Sequence, residues 1–238
     1  MAIEGINGKK ILFIGIGFYD YDKLIAEKLR QNGASVCYIS SVRKNRLANL
    51  FQRFGLKKIA TTIIDNNRKK RIDQAARNAD IIFTIKGENL NTRDLIALKK
   101  RNPDASWILY LWDSVARLEN AELLFNFFPT IFSFDRLDCI RDKRLRFRPL
   151  FFRDLLDYEG QKDYDLSFIG WVHSDRLQLI RNFKTQLQNC QKRYFFKLYM
   201  GQFNYLIQRY IKGSIKKEDN DIITTRAIPY ADFSQILS

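Results

Sequence analysis

Two aspartates each come directly after a short apolar run of the sequence. Asp113 follows Trp107–Trp112, and Asp135 follows Thr130–Phe134. Each run is typical of a fully buried strand, because it is apolar or β-branched, without polar alternation, and bounded by charge. Ligands of parallel sheets bind beyond the carboxyl ends of the strands, so both carboxylates are candidates for acid–base chemistry or ligand binding. The competing interpretation is that each one only caps the helix that follows its strand.

The single histidine lies in a second polar segment, Gly170-Trp-Val-His-Ser-Asp-Arg176. The segment follows an apolar run and precedes a helical pattern, which predicts a turn from a strand into a helix. Backbone N–H groups at that helix start, with Ser174 and Arg176, suit a diphosphate. A lone histidine is more often structural or simply exposed, and that interpretation stays open for His173.

Other motifs are weaker. Gly15-Ile-Gly17 resembles the start of a dinucleotide fingerprint, but the third glycine is absent and no acid ends the second strand. Binding of NADP would depend on Arg43 and Lys44, whereas two glycines also fit an ordinary tight turn. The two Asp-x-Asp spacings, at 20–22 and 163–165, are better explained by a cap and a solvated turn than by a metal. The three cysteines lack the clustering of a zinc site or a disulfide frame.

Alternating strand and helix patterns surround these segments. Strands are predicted near residues 11–14, 35–39, 59–64, 81–85, 107–112, 130–134 and 146–150, and helices near 20–31, 44–54, 67–77 and 92–100. Six or seven β/α units predict an α/β fold with a doubly wound, Rossmann-like parallel sheet. The rhythm breaks at a predicted linker, residues 154–164. We therefore expect an N-terminal domain over 1–153 and an incomplete Rossmann-like domain over 165–238.

The chain is strongly basic, with 41 Lys and Arg against 26 Asp and Glu and a net charge of +15. This excess favours a polyanionic neighbour: nucleic acid, an anionic membrane surface or a phosphorylated substrate. No pattern of specific nucleic-acid binding accompanies it. No apolar run is long enough to span a bilayer, and the first residues lack the apolar core of a signal peptide, so we expect a cytoplasmic location.

A helix is predicted over 203–212 with an apolar stripe. Packing of the stripe against the second sheet is the first expectation, and docking on an anionic membrane surface is the alternative. The stripe consists of Phe203, Leu206, Ile207, Tyr210 and Ile211.

Several motifs, taken in order, resemble bacterial GT-B glycosyltransferases that build capsular polysaccharide or lipopolysaccharide. They are Ile-Leu-Phe-Ile-Gly-x-Gly-Phe-Tyr-Asp-Tyr at 11–21, Ile-Lys-Gly-Glu at 85–88, Leu-Tyr-Leu-Trp-Asp-Ser at 109–114, Phe-Ser-Phe-Asp-x-x-Asp at 132–138, Phe-Arg-Pro-Leu-Phe at 147–151 and Phe-Ile-Gly-x-x-His-Ser-Asp-Arg at 168–176. The resemblance implies two Rossmann-like domains around a cleft, with a glycan or lipid-linked acceptor on the first and a nucleotide-sugar donor on the second. It implies no metal or other cofactor, and work at the inner face of the cell membrane.

The resemblance also implies roles for individual residues. Asp113 would be the catalytic base, with Asp20 and Glu88 as rivals at neighbouring strand ends. The donor diphosphate would contact Gly170, His173, Ser174 and Arg176. The acceptor side would comprise Gly17, Phe18, Tyr19, Lys86, Trp112, Ser114 and Asp135.

Proteins of this kind continue past a Pro-Tyr helix, whereas this chain ends at Ser238 within the helix that opens at Pro229. The resemblance therefore implies a C-terminally truncated donor domain and makes transfer by this chain alone uncertain. Two other functions stay open: a non-catalytic remnant that binds nucleotides or polyanions, and an NADP-dependent oxidoreductase.

Overall fold

A computed structural model describes residues 5–18, 20–41, 56–75, 77–151 and 163–226 of the chain. The chain divides into two units, Met1–Phe151 (unit 1) and Phe152–Ser238 (unit 2). Each unit contains one sheet, and every strand pair in both sheets is parallel. The predicted α/β class with parallel sheets is confirmed, and both sheets are consistent with a Rossmann-like fold.

Unit 1 contains a six-stranded sheet in the order β2-β1-β3-β4-β5-β6. A 3₁₀ turn over Val115–Arg117 connects β4 to the helix that follows. The elements are β1 (Lys10–Gly15), α1 (Tyr21–Gln31), β2 (Ser35–Ser40), α2 (Lys57–Gln74), β3 (Ile81–Ile85), α3 (Thr92–Arg101), β4 (Ser106–Leu111), α4 (Ala121–Phe127), β5 (Thr130–Ser133), α5 (Arg136–Arg141) and β6 (Leu145–Phe147).

The strand runs without polar alternation are buried on both faces of the sheet, as their composition predicts. In β1, Leu12 and Ile14 pack in the core cluster on one face, whereas Ile11 and Phe13 pack in the cluster on the other. The strand order reverses between β1 and β3, so a crevice is expected at the carboxyl ends of these two strands. The register places Ile14 beside Thr84 and Ile85 beside Tyr110, which brings the segments after β1, β3 and β4 to one edge.

The predicted strand at 59–64 is wrong, because these residues form the first part of helix α2. A short apolar run does not by itself distinguish a strand from a helix. Ile59 is 46% exposed, which does not fit a buried strand. In addition, β3 pairs directly with β1, so the sheet has no place for another strand between them. The helix predicted at 67–77 is the second half of the same α2. The helix predicted at 44–54 lies outside the described residues.

Unit 2 contains a three-stranded sheet in the order β7-β8-β9. The buried carboxylate of Asp219 accepts two hydrogen bonds from the guanidinium of Arg181 and ties the later part of the unit to α6. The elements are β7 (Leu166–Trp171), α6 (Arg176–Asn189), β8 (Tyr194–Tyr199), α7 (Gln202–Leu206), a π-helical turn (Ile207–Ile211), a 3₁₀ turn (Lys217–Asp219) and β9 (Ile223–Thr224).

The apolar stripe of the helix at 203–212 does not pack as first expected. Tyr205 packs against the cluster of Met200, Ile215 and Ile223, while the predicted stripe residues point mainly to solvent. No helix within the described ranges is long and apolar enough to cross a membrane. The helix predicted from Pro229 and most of the predicted linker lie outside the described residues.

Candidate functional site

The glycine loop after β1 folds around a carboxylate of its own chain. Gly17 has a φ of +66°, and its N–H donates to Oδ2 of Asp22 at 2.6 Å. The hydroxyl of Tyr38 donates to the same oxygen at 2.8 Å, and Asp22 is only 4% exposed. A Cβ at Gly15 would collide with this carboxylate. Gly15 is therefore needed for close approach to Asp22, and Gly17 for the left-handed backbone.

This carboxylate occupies the place that a dinucleotide pyrophosphate would need. A pyrophosphate binds the free N–H groups of such a loop, but the N–H of Gly17 already donates to an anion. The geometry therefore disfavours NADP binding, and Arg43 and Lys44 lie outside the described residues, as does Tyr19. Asp20 holds the N-cap position of α1, yet its exposed side chain makes no capping hydrogen bond.

A strained turn follows β3 and presents Lys86. Lys86 has a φ of +60°, and the N–H of Gly87 donates to the carbonyl of Ile85 at 2.7 Å, which closes a three-residue γ-turn. Turns of this kind with a positive φ are rare and strained, most of all at a residue with a side chain. The N–H of Lys86 donates to the carbonyl of Tyr110 at 3.0 Å and fixes the turn to β4. The sheet thus holds Lys86 in a conformation that it would not adopt alone.

The ammonium of Lys86 lies between two carboxylates. Its Nζ is 2.6 Å from Oδ2 of Asp113 and 3.3 Å from Oε2 of Glu88. Burial alone would lower the pKa of Lys86, but the hydrogen bond that Lys86 donates to Asp113 and the charges of Glu88 and Asp113 outweigh this effect and raise that pKa above its ordinary value. The Lys86 side chain is 19% exposed and that of Asp113 is 42% exposed, so the pair remains accessible to a ligand.

The capping alternative fails for Asp113 and holds for Asp135. Ser114 takes the N-cap position of the 3₁₀ turn, without a capping hydrogen bond from its side chain, while Asp113 pairs with Lys86. Asp135 accepts the N–H groups of Leu137 at 2.8 Å and Asp138 at 3.4 Å, as a helix cap does. The assignment of Asp135 to the acceptor side stays a prediction, and the structure adds that its carboxylate caps α5.

Asp138 positions the segment that carries Asp113. This aspartate is buried, and its Oδ2 accepts the N–H of Val115 at 2.7 Å. The bond ties the 3₁₀ turn directly after Ser114 to helix α5. Asp138 therefore connects the 3₁₀ turn to α5.

A cavity of about 370 Å³ lies at this edge of the sheet and is called the aromatic pocket below. Its volume falls within the range typical of small-molecule sites. Tyr21 lies edge-on to Trp112 and to Phe151, with ring centroids 6.2 and 5.5 Å apart, and Trp112 lies 5.4 Å from Phe151. The pocket is lined by Ile16, Phe18, Tyr21, Lys86, Trp112, Asp113, Leu150 and Phe151.

A side-chain hydrogen bond helps to fix the wall of the pocket formed by Leu150 and Phe151. The hydroxyl of Tyr110 donates to the carbonyl of Pro149 at 2.8 Å and holds the segment with Leu150 and Phe151 against β4. Burial raises the pKa of this hydroxyl against the opposing charge of Arg148, so Tyr110 stays a donor. A small crevice beside the pocket contains the Lys86–Asp113 pair, Glu88 and Arg117.

The structure therefore brings together four of the predicted residues, Phe18, Lys86, Trp112 and Asp113, with Glu88 beside them. Tyr21, Leu150 and Phe151 were missed as site residues. Their signal was present in the sequence, because aromatic residues follow the glycine loop and Phe-Arg-Pro-Leu-Phe ends unit 1. The motif Phe-Arg-Pro-Leu-Phe is part of the family resemblance, but the resemblance implies no role for Leu150 or Phe151.

The polar turn of unit 2 is stabilised from within. Nδ1 of His173 lies 3.1 Å from Oγ of Ser174, whose φ is +52°. Nη1 of Arg176 donates to the carbonyl of Trp171 at 3.0 Å, and its guanidinium lies over the ring of Phe168 at 5.5 Å. The four predicted donor residues share this turn, and one guanidinium nitrogen of Arg176 is already bonded to the strand.

The described residues contain no group of three or more His, Cys, Asp or Glu side chains suited to a metal ion. Comparisons with known proteins do not assign a family either. The sequence matches no protein-family model and no curated protein.

Proposed function

We propose that the protein is a GT-B-type glycosyltransferase that moves a sugar from a nucleotide-sugar donor onto a surface-polysaccharide or lipopolysaccharide acceptor. The observation that supports this proposal best is the aromatic pocket at the switch point of the unit 1 sheet, where aromatic rings and the Lys86–Asp113 pair line one cavity. The acceptor glycan binds there.

The composition of the pocket suits a sugar ring. A pyranose has an apolar face of C–H groups and an edge of hydroxyls. Aromatic rings such as those of Tyr21 and Trp112 cover the apolar face, and the Asp113 carboxylate accepts hydrogen bonds from the hydroxyls. Lys86 donates to the hydroxyl and ring oxygens of the same sugar.

In the proposed reaction, Asp113 is the catalytic base. Its carboxylate takes the proton from one acceptor hydroxyl, and that oxygen forms a bond to the anomeric carbon of the donor sugar. The bond between that carbon and the diphosphate oxygen breaks, and the nucleoside diphosphate leaves. Lys86 acts as a positioning residue that holds the Asp113 carboxylate. Glu88 shares the ammonium and is the rival base, whereas Asp20 has no described contact with this cluster.

Unit 2 binds the donor in this proposal, through the turn at Gly170–Arg176. The N–H groups of Leu177 and Gln178 in the first turn of α6 and the guanidinium of Arg176 neutralise the leaving diphosphate. The reaction then needs no metal.

A non-catalytic glycan-binding protein is the second candidate. The specific observation that favours it is the 2.6 Å contact between Lys86 and Asp113, because this ion pair already occupies the carboxylate oxygen that an acceptor hydroxyl would approach. Both candidates use the same pocket, and only turnover separates them.

The test combines binding and transfer. Trp171→Phe leaves two tryptophans, the buried Trp107 and the pocket residue Trp112, so a saccharide panel can be titrated by tryptophan fluorescence. UDP- and GDP-sugars are titrated by calorimetry, with NADP as the competing ligand. Transfer from each sugar nucleotide to the saccharides that bind is followed by mass spectrometry.

We expect saccharides to change the fluorescence, and Trp112→Phe to remove the response. Phe147→Leu, which alters an exposed aromatic outside the pocket, is the control and should keep the response. Binding without transfer would favour the second candidate. Binding of NADP alone, without any saccharide or sugar nucleotide, would overturn both.

A further inference from the structure

An exposed apolar patch lies at the end of the helix that follows β8. Leu206, Tyr210 and Ile211 are 46%, 71% and 78% exposed, and these three residues are the apolar patch below. The inner face of the helix is occupied by Tyr205, which packs toward Met200, Ile215 and Ile223. The apolar patch is therefore on the outside of a helix whose inside is already packed.

The helix geometry contributes to the outward position of Tyr210 and Ile211. The N–H of Lys212 donates to the carbonyl of Ile207 at 2.9 Å, so this turn contains one residue more than an α-helical turn. Such π turns shift the side chains that follow and are frequent at functional sites. Gly213, with a φ of +62°, then ends the helix and leaves Tyr210 and Ile211 at its tip.

The segment that contains the apolar patch is basic. No acid occurs between Gln202 and Lys217. Within the described part of unit 2, no carboxylate forms a salt bridge with any of these basic residues. They are Arg209, Lys212, Lys216 and Lys217.

Arg209 illustrates the lack of a countercharge. Its guanidinium donates to the side-chain oxygen of Asn220 at 2.7 Å and to the carbonyl of Lys216 at 3.4 Å, both neutral acceptors. It also lies 5.8 Å from the ring centres of Tyr205 and Tyr210. The charge of Arg209 is held beside the patch without being neutralised.

We infer that the apolar patch and its four basic neighbours dock onto the surface of an anionic phospholipid membrane. Tyr and long aliphatic side chains partition into the headgroup region, and Lys and Arg are attracted to anionic lipids, so the two parts act on the same surface. The inference concerns where the protein is held and does not depend on the proposed transferase activity.

Other occupants fit the patch less well. A second copy of the chain would bring two basic groups against each other at low dielectric. Nucleic acid would satisfy the charges but would leave Leu206 and Ile211 without an apolar partner, since bases stack on aromatic rings and on guanidinium groups. A lipid surface accommodates both the apolar and the basic side chains.

The test is co-sedimentation of the full chain with vesicles of phosphatidylcholine alone or mixed with phosphatidylglycerol. We expect binding only to the mixed vesicles, and a loss of at least about tenfold in affinity for Ile211→Asp and for the triple variant Lys212→Gln/Lys216→Gln/Lys217→Gln. Ile140→Asp, at an equally apolar site that is 64% exposed on α5, is the matched control for the first variant. Lys9→Gln/Lys23→Gln/Lys28→Gln removes the same charge elsewhere.

A second readout reports insertion directly. Tyr210→Trp in the Trp171→Phe background should show a blue-shifted emission with mixed vesicles and no shift with phosphatidylcholine. Equal losses in the patch variants and in their controls would overturn the inference, as would an absence of vesicle binding. Light scattering tests whether a second copy of the chain covers the patch. A dimer that Ile211→Asp dissociates would identify the patch as a subunit interface and overturn the inference.

Discussion

The aromatic pocket of unit 1 and the polar turn of unit 2 are both formed by residues that follow parallel strands. The two regions differ in how many segments of the chain contribute these residues. In the pocket, Phe18, Lys86, Asp113 and Phe151 come after four different strands and meet across the sheet edge. In the turn, His173 contacts its neighbour Ser174, and Arg176 bonds back to the strand that precedes it. Side chains that converge from distant segments are the stronger indication of a binding site, because only the folded sheet brings them together. In a local turn, the polar groups bond to their own sequence neighbours.

The largest expected effect separates Asp113 from Asp135, two carboxylates that look equivalent in the sequence. Asp113→Asn should lower kcat/KM for sugar transfer by about 10²–10⁴-fold, because the amide cannot accept the acceptor proton. Asp135→Asn should leave transfer and stability nearly unchanged, since Asn caps a helix as well as Asp does. The measurement is initial-rate kinetics. Full transfer activity in Asp113→Asn would remove this residue from the catalytic role.

Gly15 and Gly170 compare the packing of the two regions. Gly15→Ala should lower the free energy of unfolding by about 2–3 kcal/mol, because its Cβ meets the buried, doubly hydrogen-bonded Asp22. Gly170→Ala should cost about 1 kcal/mol, because its Cβ meets the ring of Phe168 and the end of the Arg176 side chain, which can yield.

Urea denaturation measures both glycine variants, with Gly201→Ala as the control. A Cβ at Gly201 meets no atom within 4 Å. Equal costs at Gly15 and Gly170 would show that the loop in unit 1 is no tighter than the turn in unit 2.

The Lys86–Asp113 pair should make the stability of unit 1 sensitive to alkaline pH. Because the pKa of Lys86 is raised above its ordinary value of 10.5, its contribution is complete below that pH and is lost as pH rises through the folded-state pKa. The effect should be under about 1 kcal/mol, since the pair is partly exposed. Wild type and Lys86→Met should therefore converge in stability between about pH 9 and about pH 12. A difference that stays constant over this range would show that the lysine acts through packing alone.

The smallest expected effect concerns the strained serine of unit 2. Ser174→Gly should raise the free energy of unfolding by up to about 0.5 kcal/mol, because glycine adopts a positive φ without cost while the contact with His173 is lost. Thermal and urea denaturation can resolve this difference. A destabilisation above about 1 kcal/mol would mean that the turn depends on its internal contacts more than its exposure implies.

The sequence predicts the parts of the fold that depend on burial. Continuous apolar runs identify β1, β3, β4 and β5, and Lys86 and Asp113, within two residues of the ends of β3 and β4, mark the edge where the pocket lies. The same logic fails at 59–64, where β-branched residues fit a strand but the neighbouring strands leave no place for it. The sheet pairing, which is non-local, decides that case.

The details of the site depend on contacts that spacing does not reveal. Asp22 was explained as part of a capping motif, although the short loop before it lets the carboxylate fold back under Gly17. The strained turn at Lys86 depends on hydrogen bonds to β3 and β4, which no local sequence pattern predicts. The stripe at 203–212 was expected to face the sheet, but an extra residue in one turn and the inward Tyr205 reverse the face.

The buried Asp22 also has a consequence for protein engineering. Two hydrogen-bond donors, the N–H of Gly17 in the loop between β1 and α1 and the hydroxyl of Tyr38 in β2, already hold an anion, the Asp22 carboxylate. Replacing Asp22 by glycine would remove this carboxylate without altering the strand or the loop. The two donors would then be available to a free phosphate or sulfate, so a single substitution would create a new anion-binding site.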